Sequence, residues 1–148
     1  VGVFEGGTVT WAPTNITYGH NNRSAQFRLP QNRYCIENRA ADMTMNVYLA
    51  FSMTLAAAVE GIKMKIHPGK PTDQDLYNMT DKEFKKLGIK RLPRNLLMAL
   101  EALKNDKLSD EVIGTVMKNS LLAYKNDEWE RYHQAVTDWE VKEYLRLY

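Results

Sequence analysis

Residues 21–46 read N-N-R-S-A-Q-F-R-L-P-Q-N-R-Y-C-I-E-N-R-A-A-D-M-T-M-N, and their pattern governs the reading of the rest of the chain. Two short runs with period-2 alternation flank Pro30, Gln31, Asn32 and Arg33, a proline-and-amide cluster that predicts a turn. The simplest hairpin sets Leu29 opposite Tyr34. Arg28 then faces Cys35, Gln26 faces Glu37 and Ser24 faces Arg39. Side chains alternate across a strand, so these six share one face. The other face collects Ala25, Phe27, Leu29, Tyr34, Ile36 and Asn38, a mostly apolar set suited to burial. One side is expected to belong to a core. The other presents two guanidiniums around one carboxylate, the wall of a candidate site.

On pattern alone the simpler reading is a solvated sheet face of mixed charge, where a cross-strand Arg–Glu pair adds only ~0.2–1 kcal/mol. A one-residue slip, or a bulge at the turn, would also scatter the six residues. A longer series of motifs points further. N-N-R-S-A-x-x-R-x-P, I-E-x-R-x-x-D, N-x-Y-L-A-F and E-G-I-K-x-K-I-x-P-G follow one another between residues 21 and 69. Together they resemble the C-terminal part of the glutamine synthetase catalytic domain over roughly residues 10–76, with weaker similarity to the end. The opening T-W-A-P-T-N-I-T-Y-G-x-N-N-R and the closing V-T-D-W-E-x-x-x-Y-L also resemble the branch that includes γ-glutamyl-methylamide ligases.

The resemblance implies roles for the matching residues. Glu37 corresponds to a glutamate that ligates an active-site divalent metal. Arg39 corresponds to an arginine near the substrate glutamate and the transferring phosphoryl group, and Arg23 to another that reaches both. Arg28 corresponds to an arginine on the nucleotide phosphates. Chemistry is consistent with these roles: Mg2+ and Mn2+ take hard oxygen ligands, and planar guanidiniums bind carboxylates and phosphates bidentately. Phosphoryl transfer asks a protein mainly to position groups and stabilise spread negative charge. Three departures stand out. Relatives often carry R-x-E-x-R, and the first of those arginines is Cys35 here; Arg33 is the candidate to replace it from the turn. The family's N-P-Y-L is N-V-Y-L, with Val47 for proline. No segment clearly matches the glutamate-bearing flap that assists ammonia deprotonation, Glu5 being the only carboxylate upstream of the motif.

The 148 residues are one domain's length and enough to bury a core. A net charge of +2 gives no reason to expect nucleic acid or a polyanionic surface as partner. A single cysteine rules out an internal disulfide framework and suits a reducing, cytoplasmic compartment. No charged segment followed by an apolar one opens the chain as a secretory signal would. Since it starts at Val1, inside what resembles the middle of a catalytic domain, the chain is expected to be an excised fragment.

Upstream of the hairpin, residues 9–11 and 15–18 are expected as short strands, with Trp11 as a core anchor. His20 has no carboxylate or second histidine at ligand spacing and is read as a loop residue. Downstream, Val47 to Val59 carries no charge. It is too short to span a bilayer, which needs about 20 apolar residues, so a buried helix is expected. Asn46 or Thr44 should cap it and Gly61 end it, with the helix beneath the hairpin's apolar face. Pro68-Gly69-Lys70-Pro71 marks an irregular arm. Thr80-Asp81-Lys82-Glu83 is a capping box for a short helix closed by Gly88. Tyr77, adenylylated in some relatives at the matching D-L-Y, is read as a packing residue. Pro93 should open a helix to about Asn105. Ser109 should cap a further helix reaching Trp129 to His133, with Val112, Ile113, Val116, Met117 and Ser120 as its stripe. Thr137-Asp138-Trp139-Glu140 is a second capping box, before a last helix with Val141, Tyr144, Leu145 and Tyr148 on one side.

The expected class is α+β: a short antiparallel sheet or hairpin (strands within 1–41) followed by a mostly helical layer (43–148). The whole is expected to be the C-terminal portion of a glutamine synthetase-like catalytic domain. The resemblance implies a parent enzyme that uses ATP and Mg2+ (or Mn2+) to phosphorylate the γ-carboxylate of glutamate and amidate it with ammonia. Arg23 and Arg39 would bind glutamate and act catalytically, Arg28 and Arg33 would bind nucleotide, and Glu37 would bind metal. It also implies a large homo-oligomeric ring with no membrane or nucleic-acid partner, and an isolated fragment without activity. Two alternatives stay open: a glutamate–amine ligase such as γ-glutamyl-methylamide synthetase, and a non-catalytic assembly or binding module.

Overall fold

Residues 12–147 are described by the computed structural model. They fall into two compact units, divided between Leu92 and Pro93. The expected strand at residues 9–11, with Trp11, and the positions of Glu5 and Tyr148 lie outside the described residues.

The first unit is built on a four-stranded sheet. Strands β1 (Asn15–His20), β2 (Ala25–Leu29), β3 (Glu37–Asn38) and β4 (Lys90–Arg91) stand in the order β3-β2-β1-β4. β2–β3 and β1–β4 are antiparallel, as expected for this part, whereas β1–β2 is parallel. Parallel neighbours usually need a crossover of a dozen or more residues; here residues 21–24 alone return the chain. Asn21 begins the return with φ of 58°, a left-handed conformation that asparagine tolerates better than most residues. Its backbone N–H donates to the Leu29 carbonyl at 3.2 Å.

Asn22 holds the return from inside. Its Nδ2 donates to the carbonyls of Thr72 (2.6 Å) and Gln74 (3.0 Å), and its Oδ1 accepts from the Ser24 backbone N–H (2.9 Å) and hydroxyl (2.7 Å). These four bonds use the full capacity of a carboxamide. The Ser24 hydroxyl oxygen in turn accepts from the Leu76 backbone N–H at 3.1 Å. Ser24, Ala25 and Leu76 are buried around this network. Gly19 lets the arm approach β1: a Cβ there would lie 2.3 Å from the Thr72 carbonyl oxygen, so any other residue forces the backbones apart. The Tyr77 hydroxyl donates to the Ala12 carbonyl at 2.9 Å, consistent with the packing role read from sequence.

The hairpin register differs from the simplest one. Arg28 pairs with Glu37 and Phe27 with Asn38, two residues away from the expected pairing. The loop therefore takes in residues 30–36. Tyr34, Cys35 and Ile36 are exposed, and Tyr34 and Ile36 are removed from the expected apolar face. A shift of two preserves side-chain parity, so Arg28, Glu37 and Arg39 still share a face.

Helix α1 (Val47–Lys63) is capped by Asn46, whose side chain accepts from the Leu49 N–H. It runs past Gly61 and ends at Lys63. The expected burial does not occur. No residue of α1 is buried, and Val47, Tyr48, Phe51, Leu55 and Ile62 are each at least half exposed. Leu49, Met53 and Ala56 are partly covered, and Asn38 Nδ2 of β3 lies 3.5 Å from Thr54 Oγ1 of the helix. Helix α2 (Asp81–Leu87) has the expected capping box and ends at Gly88 in the left-handed conformation. Phe84 is its buried residue, covered by the Arg91 guanidinium at 4.8 Å, which also pairs with Asp81 at 2.5 Å.

The second unit is helical: α3 (Leu96–Asn105), α4 (Lys107–Ile113), α5 (Thr115–Gln134) and α6 (Asp138–Tyr144). α3 and α4 both pack on α5. The single helix expected from Ser109 onward is two, broken at Gly114 with φ of 78°. Ser109 does not cap; Asp106 does, and Ser109 is fully buried inside α4. The buried residue of α5 is Lys118, not Val116 or Met117, which are exposed. Its Nζ donates to the Asp106 carbonyl (2.7 Å) and to Asp110 Oδ2 (2.9 Å), which is how a buried ammonium is accommodated. The box at Thr137 and Glu140 opens α6 as expected.

Candidate functional site

The sheet's β2–β3 edge brings four of the sequence-predicted residues together. Arg28 and Glu37 sit directly opposite each other, and Arg28 Nη1 donates to Glu37 Oε2 at 2.9 Å. Arg28 Nη2 donates to Asn21 Oδ1, so the guanidinium is held on two sides. Arg33 reaches in from the loop to Glu37 Oε1. Arg39 Nη1 lies 4.0 Å from Glu37 Oε2, and its Nε donates to the Arg23 carbonyl at 3.2 Å. Arg23 thus joins the cluster through its backbone, while its residue as a whole is exposed. Cys35 is an exposed free thiol on the same loop.

Burial is graded across the group. The side chains of Arg28, Glu37 and Arg39 are about one-fifth exposed (18%, 21% and 21%), while that of Arg33 is 61% exposed. The Arg28 hydrogen bond holds the Glu37 carboxyl below the usual carboxylate range; partial desolvation opposes this and Arg33 reinforces it. Glu37 is therefore ionised at neutral pH. Three guanidiniums against one carboxylate leave a surplus of positive charge, and Arg28 Nε is a buried donor with no hydrogen-bond acceptor.

This donor set fits phosphate and carboxylate oxygens. For a divalent metal, Glu37 supplies one suitable ionised ligand and not a full set. Among the described residues no three His, Cys, Asp or Glu side chains gather closely enough to hold a metal ion.

Two partners were not visible in the sequence. Asn21 carries no mark of its own in the sequence, and only its short return loop brings it to Arg28. His20 does have a carboxylate neighbour: its backbone N–H donates to Asp73 Oδ1 (2.5 Å) and its ring Nδ1 lies 3.3 Å from Asp73 Oδ2. Nothing in local spacing could have shown a partner 53 positions away.

A family model described as "Glutamine synthetase, catalytic domain" matches residues 8–144. The chain belongs to that glutamine synthetase family. It is 40% identical over 137 residues to the Methanocaldococcus jannaschii protein named "Glutamine synthetase", covering 90% of this chain and 30% of that protein. It is also 40% identical over 139 residues to the "Glutamate--methylamine ligase" of Methyloversatilis universalis, covering 94% and 31%. Among solved structures, "Apo GmaS without ligand" superposes with a TM-score of 0.75 at 34% identity, over 90% of this chain and 30% of that one. This member of the glutamine synthetase family thus spans about 30% of the length of these relatives. No helix among the described residues is long and apolar enough to cross a membrane.

Proposed function

We propose that this chain supplies one wall of the active site of an ATP-dependent glutamate–ammonia ligase, within a protein longer than these 148 residues. The observation that carries the reading is the ionised Glu37 carboxylate set among Arg28, Arg33 and Arg39 on one face of β2–β3. ATP, bound with Mg2+ or Mn2+, would supply the phosphoryl group that activates the glutamate γ-carboxylate. Glu37 would give one oxygen ligand to a metal. Arg33, the most exposed member, would turn from Oε1 toward nucleotide phosphate, while Arg28 keeps hold of Oε2 and meets phosphate with its other donors. Arg39 and Arg23 would hold the substrate carboxylate and neutralise charge that builds on the transferred group. One carboxylate does not make a metal site, so the 148-residue chain alone should show no turnover. The cytoplasmic, homo-oligomeric ring belongs to the same proposal.

The test is turnover of the complete protein carrying Glu37→Gln. At least a hundredfold loss of glutamate- and ATP-dependent turnover is expected, with folding unchanged by circular dichroism. Activity equal to wild type would overturn the reading. An inactive wild type would favour the non-catalytic module, to which the Cys35 departure lends support.

Methylamine stands as a second acceptor, because the relative named for that amine is as similar to this chain as the glutamine synthetase is. Product analysis with ammonia and with methylamine, each at equal concentration, separates the two.

A further inference from the structure

A cleft of about 770 Å3 lies in the first unit, away from the Glu37 cluster, between β1, the 67–74 arm and the end of α2. None of Arg23, Arg28, Arg33, Glu37 or Arg39 lines it. We propose that this cleft is a second binding site, for a small organic phosphate dianion with an apolar or aromatic body, such as an aryl or nucleoside monophosphate.

The walls divide by chemistry. Ile16 and Leu87, each nearly half exposed, offer apolar surface to the body of a ligand. Lys70 and Lys86 bring two ammonium groups, and no carboxylate lies within 4 Å of either among the described residues, unlike Lys118 and Lys125, which are ion-paired. His67 Nδ1 accepts from the Gly69 backbone N–H at 3.1 Å, which leaves Nε2 as the ring's donor. Asp73, the one acid in the lining, is already engaged by the His20 backbone and ring. The cleft is therefore rich in donors and cations, short of available acceptors, and within the 300–1,000 Å3 usual for small-molecule sites.

The same wall is tied to the Glu37 cluster. Thr72 and Gln74 accept both N–H groups of Asn22, whose neighbours Asn21 and Arg23 hold Arg28 and Arg39 respectively. A ligand gripping residues 67–74 thereby bears on the loop that sets two arginines. This inference does not rest on the ligase reading.

The test is calorimetric titration of the complete protein with phenyl phosphate and with inorganic phosphate. Hydrogen–deuterium exchange, read on the same samples, locates the bound probe. Phenyl phosphate should bind at least about tenfold more tightly than inorganic phosphate, with protection in residues 67–74 and 86–89. Lys70→Gln with Lys86→Gln should weaken phenyl phosphate about tenfold or more, and Arg28→Ala with Arg33→Ala should leave it within about twofold. Absence of saturable binding, equal affinity for the two probes, protection confined to residues 28–39, or loss caused by the arginine pair and not the lysine pair would each overturn the proposal. Both lysines are exposed, so the neutral substitutions leave the fold in place, and the exchange map on wild type stands independently of them.

Discussion

Asn21 and Glu37 grip Arg28 from its two sides. Asn21 does two jobs at once: it adopts a left-handed backbone and offers Oδ1 to Arg28. Asn21→Gly keeps the conformation and removes the acceptor, whereas Asn21→Asp keeps both. If Asn21 positions Arg28, the glycine variant of the complete protein should raise the apparent KM for nucleotide about 3- to 30-fold with little change in kcat, and aspartate should restore it. A glycine variant that adds nothing on an Arg28→Ala background would show that the effect runs through Arg28. If Arg28→Ala alone leaves nucleotide KM unchanged, the role given to Arg28 fails instead. Glu37 makes a prediction in pH. Its folded pKa is depressed, so its contacts contribute stability above the unfolded carboxylate value of about 4.3, and that contribution is lost as pH falls through the lower folded value. Carboxyl-carbon NMR should show Glu37 titrating below the ordinary glutamate range, and Arg28→Ala should move it back up.

At the scale of elements, the distinction between what sequence reveals and what it conceals follows the range of the interactions. The boxes at Thr80 and Thr137 involve residues three positions apart, so four letters suffice to predict them. The shared face of Arg28, Glu37 and Arg39 was legible too, because parity survives an even shift of register. The register itself was not, since the length of the 30–36 loop is not fixed by its proline. The return loop is wholly tertiary: Asn22 and Ser24 find their outside partners some fifty residues away. Asn22→Ala would leave the buried Ser24 backbone N–H and hydroxyl without the oxygen that accepts from them, costing about 1–3 kcal/mol for each group left unsatisfied. Chemical denaturation should register a loss of at least about 2 kcal/mol, and a change within 0.5 kcal/mol would remove Asn22 from its structural role. Lys118 is the opposite case: a charge on a helix ordinarily marks the solvent side, and here it is tied to a carbonyl and an acid.

For the whole molecule, α1 separates the two readings most sharply. An uncharged, alanine-rich run predicts burial, but among the described residues nothing covers Tyr48, Phe51 and Leu55, which face outward. In the 148-residue chain, Phe51→Gln and Leu55→Gln should each change stability by no more than about 0.5 kcal/mol, where a buried position would lose roughly 2–5. Thermal unfolding decides between them, and sedimentation should show less self-association in the double variant, since apolar patches of this kind promote it. The family was readable from short motifs because those motifs encode local chemistry.

The single sulfur of Cys35 has a practical use. It is the only thiol in these 148 residues, it stands open to solvent, and it lies two positions before Glu37. On the 148-residue chain a maleimide fluorophore would therefore attach at one place without any engineering, close enough to sense Arg33 leaving the carboxylate. Titrating such a labelled sample with nucleotide gives an optical readout of whether anions reach this edge of the sheet.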